Sequence, residues 1–147
     1  MPKPFGEVIA RRRLNPVDAP RRSVVVSLGK PREATGADHW ECPFRIWGSG
    51  IRQVEYGRGV DAFQALTMAL EGIRYFLDRL DTPLVWGDTF DDHSGFQRII
   101  PLLPEPGGIA RGIRRMERVV DTETRRWALE AKRRYLKSKG RKSGRRV

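Results

Sequence analysis

Four runs in the first part of the chain carry strand patterns. Glu7 to Leu14 is heavily charged, Arg22 to Leu28 holds Val24, Val25 and Val26 in succession, and His39 to Trp47 and Ile51 to Tyr56 alternate between apolar and polar residues. β-Branched and aromatic residues favour extended backbone, and period-two alternation is the mark of a half-buried strand. The separators carry turn chemistry: Asn15-Pro16 through Pro20, Gly29-Lys30-Pro31 through Gly36, and Gly48-Ser49-Gly50, short enough to close a hairpin. Short connections favour antiparallel neighbours, so the runs predict a β-meander of about four strands. In the third run, alternation assigns Trp40, Cys42, Phe44 and Ile46 to a core face and His39, Glu41, Arg45 and Trp47 to a wet one. Val54 and Tyr56 are expected to join the core face across the hairpin. Pro43 has no amide hydrogen to give a ladder, so the strand lies at an edge or bulges there.

The period then becomes helical, from about Asp61 to Leu80. Asp61 with Gln64 fits a capping box, and Gly57 and Gly59 mark the break from the preceding strand. Ala62, Leu66, Ala69, Ile73, Phe76 and Leu80 form one stripe, flanked by Phe63, Leu70 and Leu77, broad enough to need a sheet beneath it. The predicted fold class is therefore α+β: an antiparallel meander with one amphipathic helix on one face, followed by a basic C-terminal helical extension. Thr82 to Trp86 and Phe96 to Leu103 read as further extended segments, and Pro104-Glu105-Pro106-Gly107-Gly108 ends a domain of residues 1–108.

Beyond that break, Ile109, Ile113, Met116, Val120, Trp127, Ala131 and Tyr135 recur at helical spacing, with Thr124 filling the missing position. Residues 109–138 read as an amphipathic helical extension, as one helix or as two, since Asp121 and Thr122 can cap a fresh start. Residues 139–147 hold no apolar residue before Val147 and read as a disordered basic tail.

Composition changes this picture at two points. No run approaches the roughly 18 apolar residues of a membrane span, and Met1 to Arg13 lacks the apolar run of a signal peptide, so no membrane partner is expected. Cys42 is the single cysteine, which excludes an internal disulfide and a multi-cysteine metal site and fits a reducing compartment. The expectation is a soluble protein of the bacterial cytoplasm. The formal charge is +11, yet residues 1–108 hold 14 basic and 14 acidic residues, while residues 109–147 hold 15 and 4. All the net charge belongs to the extension, and the body is electrically balanced.

The chain resembles a family of short, uncharacterised bacterial proteins, a domain of unknown function. The resemblance is carried by Ala10-Arg11-Arg12-Arg13-Leu14, Val24 through Pro31, Trp40-Glu41-Cys42-Pro43-Phe44-Arg45-Ile46, and Asp61-Ala62-Phe63-Gln64-Ala65-Leu66 with Ala69-Leu70. It covers roughly residues 5–100, leaves the extension outside, and brings no activity, cofactor or site to carry over.

His39, Glu41 and Cys42 are metal-ligand types close in sequence, but alternation turns Cys42 to the core and the other two away, so a buried structural thiol is expected. A nucleophilic Cys-His pair fails on the same geometry unless His93 reaches across the fold to Cys42. The acidic loop Gly87 to Gly95 contains Asp88, Asp91, Asp92 and His93, which can bind a cation or act as acid and base; without a second acidic cluster it reads as a solvated turn. Gly48-Ser49-Gly50 lacks the lysine and following helix of a phosphate loop.

The extension carries the stronger signal. Arg114, Arg115, Arg118, Arg125, Arg126, Lys132, Arg133, Arg134 and Lys137, with Lys139, Arg141 and Lys142 in the tail, predict attachment to nucleic-acid phosphates with little sequence preference. The alternative is a protein–protein module, an adaptor, a toxin-neutralising partner or a homodimer. It would use the sheet face with Glu41, Arg45 and Trp47, or the stripe with Ile113, Met116, Val120 and Trp127. No cofactor, no metal and no enzymatic activity are expected, because no nucleophile, base and orienting group can be placed together.

Overall fold

The computed structural model describes residues 4–87, 89, 92–99 and 106–143, with side chains through 138. The element order is β1 (Val8–Pro16), β2 (Val24–Gly29), β3 (Arg32–Glu33), β4 (Trp40–Gly48), β5 (Ile51–Gly59), α1 (Ala62–Leu77), β6 (Leu84–Val85) and α2 (Ile109–Ser143). The strands form one antiparallel sheet. β4 lies between β5 on one side and β2 with β3 on the other, and β1 joins β2 to β6. The α+β class and the meander follow the sequence reading. The chain divides into two units, Met1–Ile99 and Ile100–Val147.

Pro43 sits in a central strand and is accommodated by a bulge. β2 and β4 pair as far as Leu28 opposite Phe44, and pairing resumes one residue out of step with Arg32 opposite Glu41. The interruption falls opposite Pro43, where a ladder would ask for the missing amide hydrogen, while pairing with β5 continues unbroken. Gly29 lies in the gap, where an added Cβ would come within 2.5 Å of the Pro43 ring.

The β4–β5 hairpin corrects the facing of β5. Gly48 pairs directly with Ile51, so the loop has two residues, and both Ser49 (φ 51°) and Gly50 (φ 85°) adopt the left-handed backbone of a primed turn. A three-residue loop would set the register one step away, and one step exchanges the faces. Val54 and Tyr56 therefore pair with Arg45 and Pro43 on the face away from the core, where Val54 is exposed. Gly57 and Gly59 pair with Cys42 and Trp40 on the core face; they are part of the strand and do not break it.

Those two glycines explain how α1 lies. A Cβ on Gly57 would meet the Ala69 amide nitrogen at 2.2 Å, and one on Gly59 the Ala65 nitrogen at 2.5 Å, so the helix rests on bare strand backbone. Such an approach selects small residues on the contact line, and the buried stripe is Ala65, Ala69, Ile73 and Leu77. This rotates the helix from the predicted stripe: Leu66, Leu70, Phe76 and Leu80 pack at its flanks, and Phe63 stands 83% exposed. The Asp61 cap is formed, with the Gln64 backbone N–H donating to Asp61 Oδ1 at 2.7 Å, while the Gln64 side chain reaches one residue beyond the cap that a capping box expects, its Oε1 accepting the Val60 N–H at 2.7 Å. Beneath α1, Leu14, Val24, Val26, Leu28, Phe44 and Ile46 complete the core.

The segment after β6 is tied to this core by polar contacts. Arg12 places its guanidinium 4.0 Å from the Trp86 ring centroid and 4.4 Å from that of Phe96, and Nη1 donates to the Ser94 carbonyl at 3.4 Å. Burial lowers the Arg12 pKa. Glu71, held below the usual carboxylate range by hydrogen bonds from Arg74, accepts the Ile99 N–H at 3.3 Å. Residues 96–99 form no strand, and 100–103 of the predicted extended segment lie outside the described residues.

Among the described residues, unit 2 contains a single continuous helix. α2 spans 35 residues, about 52 Å, with no break at Asp121 or Thr122, and it runs five residues past the predicted end at 138. Residues 144–147 of the expected disordered tail lie outside the described residues.

Candidate functional site

The sheet face opposite α1 is built by strand alternation. Register places Arg11 of β1, Ser27 of β2, Arg45 of β4 and Val54 of β5 in one row across the strands, and Arg13, Val25, Trp47 and Arg52 in the next. Strands are about 4.8 Å apart, so Arg11 and Arg45 originate about 10 Å from each other, with Ser27 between. Together Arg11, Arg13, Val25, Ser27, Arg45 and Trp47 line an open groove of about 600 Å³. Trp47 is 48% exposed, and the Arg52 guanidinium lies 5.2 Å from its ring centroid.

The groove is one-signed. Among the described residues, no carboxylate pairs with Arg11, Arg13, Arg45 or Arg52. Ser27 is buried at the floor, and no hydrogen bond reaches its hydroxyl from the described residues. A balanced sum over residues 1–108 thus conceals a segregated distribution: alternation gathers arginines on this face, and most acids lie elsewhere.

Glu41 is the exception, and it corrects the sequence reading. Alternation assigns it to a wet face with Arg45 and Trp47, but it is only 3% exposed. Arg32 closes over it, with Nε and Nη2 at 3.1 and 3.0 Å from Oε1, and Arg32 Nη1 donates to the Phe5 carbonyl at 3.5 Å. The N-terminal segment therefore covers this end of the face. Phe5 also reaches Arg45, whose guanidinium lies 4.8 Å from the ring centroid. The Trp47 end stays open.

The other predicted positions divide between the units. Arg45 and Trp47 come together in the groove, whereas Met116 and Trp127 lie on α2. At 100° per residue, Arg111, Arg114, Arg118, Arg125 and Lys132 form one line along α2, opposite Ile109, Ile113, Met116, Val120 and Trp127. Trp127 is 70% exposed. Arg126 is drawn into its own helix, 4.0 Å from Glu123 and 3.8 Å from Glu130. Arg115, Arg133, Arg134 and Lys137 are exposed. The side chains of Lys139, Arg141 and Lys142 lie outside the described residues.

The chemistry available elsewhere is limited. Cys42 is buried, donates its thiol hydrogen to the Gly29 carbonyl at 3.3 Å, and has its pKa pushed up to about 11 by burial, which describes a structural thiol. In the acidic loop, His93 Nδ1 accepts the Gly95 N–H at 2.8 Å, while Asp88 and Asp91 lie outside the described residues. No cluster of three metal-ligand side chains occurs among the described residues, and no helix among them is long and apolar enough to cross a membrane.

Arg11, Arg13 and Arg52 do not stand out in the sequence as site residues. A signal is nevertheless present in Arg11-Arg12-Arg13, since a strand must send the outer two to one face and the middle one to the other. No curated protein and no solved structure matches the chain. Residues 10–97, which carry both sheet faces and α1 but not α2, match the domain of unknown function DUF6968, and the chain belongs to that family.

Proposed function

We propose that the protein is a non-enzymatic nucleic-acid-binding module, attached to phosphates through the basic face of α2. The observation that carries this reading is the line of Arg111, Arg114, Arg118, Arg125 and Lys132 on a single continuous helix. From Arg111 to Lys132 it extends about 32 Å, long enough to meet several successive phosphates. Contacts of this kind position a protein without reading bases, so the expected binding is unspecific and steeply salt-dependent.

The test is a salt series on the full chain and on a variant carrying Arg114→Gln, Arg118→Gln and Arg125→Gln. The slope of log affinity against log salt should shrink by about one for each arginine–phosphate pair that the substitutions remove. An unchanged slope removes α2 from the interface. A second reading, a protein partner or second copy on the opposite stripe, is favoured by the exposure of Trp127 and Val120. Under it, Trp127→Ala is the damaging change and the arginine variant is silent.

A further inference from the structure

The geometry points to a second nucleic-acid site, on the open sheet face of unit 1: a single strand bound with one base stacked on Trp47 and the flanking phosphates held by Arg11, Arg13 and Arg45. This site uses none of the residues of α2 and stands or falls independently of it.

Three observations converge. The groove presents arginines from β1 and β4, with no carboxylate paired to them among the described residues, so its complement is a polyanion. Arginine also binds phosphate through a planar fork of donors. Trp47 stands half-exposed in the next row, with Arg52 beside it on β5 and Val25 between it and Arg13, and offers an aromatic surface within a basic groove. That pairing of a stacking platform with a charged track is how proteins hold single strands. The Ser27 hydroxyl, 2% exposed and without a hydrogen-bond partner among the described residues, lies in the floor between Arg11 and Arg45. A buried hydroxyl without a partner is costly, and a phosphate or base oxygen in the groove would supply one.

The aromatic decides between polyanions. In a duplex the base faces are already stacked on each other, and an exposed indole gains nothing from phosphates alone. An unstacked base brings a free π-face, and such stacking is worth about 1–3 kcal/mol per base. An acidic peptide would satisfy the arginines but leaves Trp47 without a planar partner.

The experiment uses the full chain, a single strand of about ten nucleotides, an abasic strand with the same number of phosphates, and a duplex of equal length. Trp47→Ala should weaken the single strand about 5- to 150-fold and leave the abasic strand and the duplex within about twofold. Trp47→Phe should retain most of the affinity, and unchanged thermal unfolding shows that the exposed position has not cost the fold. The Trp47→Ala loss should persist in the Arg114, Arg118 and Arg125 glutamine variant, so failure of the α2 reading does not touch this one. Equal affinity of wild type and Trp47→Ala for the single strand overturns the proposal. So does an equal loss on the abasic strand, or polyglutamate displacing the single strand with the same dependence on Trp47, which would make the face a site for an acidic protein.

Discussion

Arg11, Arg12 and Arg13 are consecutive, chemically identical, and have opposite fates. Arg12 points to the side of the sheet that carries α1, where both Trp86 and Phe96 lie against its guanidinium and burial lowers its pKa. Arg11 and Arg13 point to the other side, into a groove with Arg45 and Trp47 and no paired carboxylate. On the first face every contact closes: helix backbone on glycine, aromatic on cation, thiol on carbonyl. On the second, beyond the Arg32–Glu41 pair at its covered end, the arginines of the groove have no paired carboxylate among the described residues. The same β1 backbone serves both, so the difference comes from alternation alone, and it separates the face packed under α1 from the face that stays open.

The comparison is tested most severely at Gly57. Glycine within a strand usually costs about 0.5–1 kcal/mol against alanine, so an ordinary strand position should gain from the change. Here the new Cβ would lie 2.2 Å from the Ala69 nitrogen, in backbone that cannot swing aside. Gly57→Ala should therefore destabilise by about 3 kcal/mol, the upper range for overpacking, read as a lower urea midpoint with an unchanged slope. A stabilised variant would mean that α1 does not rest on β5 and that the core face packs more loosely than these distances require.

Arg12 gives a smaller and more specific effect. Arg12→Ala removes two ring contacts and the bond to Ser94, a loss of about 1–2 kcal/mol. Arg12→Lys should recover only part of it, because an ammonium lacks the planar guanidinium face that stacks on aromatic rings. Amide exchange at Ile99, whose N–H reaches Glu71, should quicken in both variants as residues 94–99 loosen. If alanine proves neutral, the two ring contacts are incidental and the two faces differ less than their geometry suggests.

How far these faces can be read from the sequence depends on the residue. The cap at Asp61 with Gln64 is legible because its signal is local, and so is the core face of β4, because Trp40, Cys42, Phe44 and Ile46 fall at every second position. The facing of Val54 and Tyr56 is not, since it depends on whether the hairpin loop has two residues or three, and one step reverses every side chain. Gly57 and Gly59 resemble a strand terminus in one dimension and become a helix seat only when α1 is placed over them. The groove is half legible: Arg45 and Trp47 follow from one strand's alternation, but Arg11, Arg13 and Arg52 join them through registers that no sequence spacing fixes. Net charge misleads for the same reason, because a sum over residues cannot show which face they share.

The smallest expected effect is the one that defines the open face. Arg11→Ala with Arg13→Ala should change stability by no more than about 0.5 kcal/mol, as at surface positions without structural contacts. The direction carries the information. Four arginines with no paired acid among the described residues repel one another, Arg11 and Arg13 acting on Arg45 across the intervening strand β2, so the double variant should be marginally more stable at low salt. Because the screening length is about 10 Å at 0.1 M salt, that gain should fade as salt rises. A destabilisation of about 1 kcal/mol or more, beyond what such surface positions show, would instead mean that the guanidinium stems pack structurally and that both faces serve the fold. A small gain that salt removes identifies arginines whose counter-charge none of the described residues supplies.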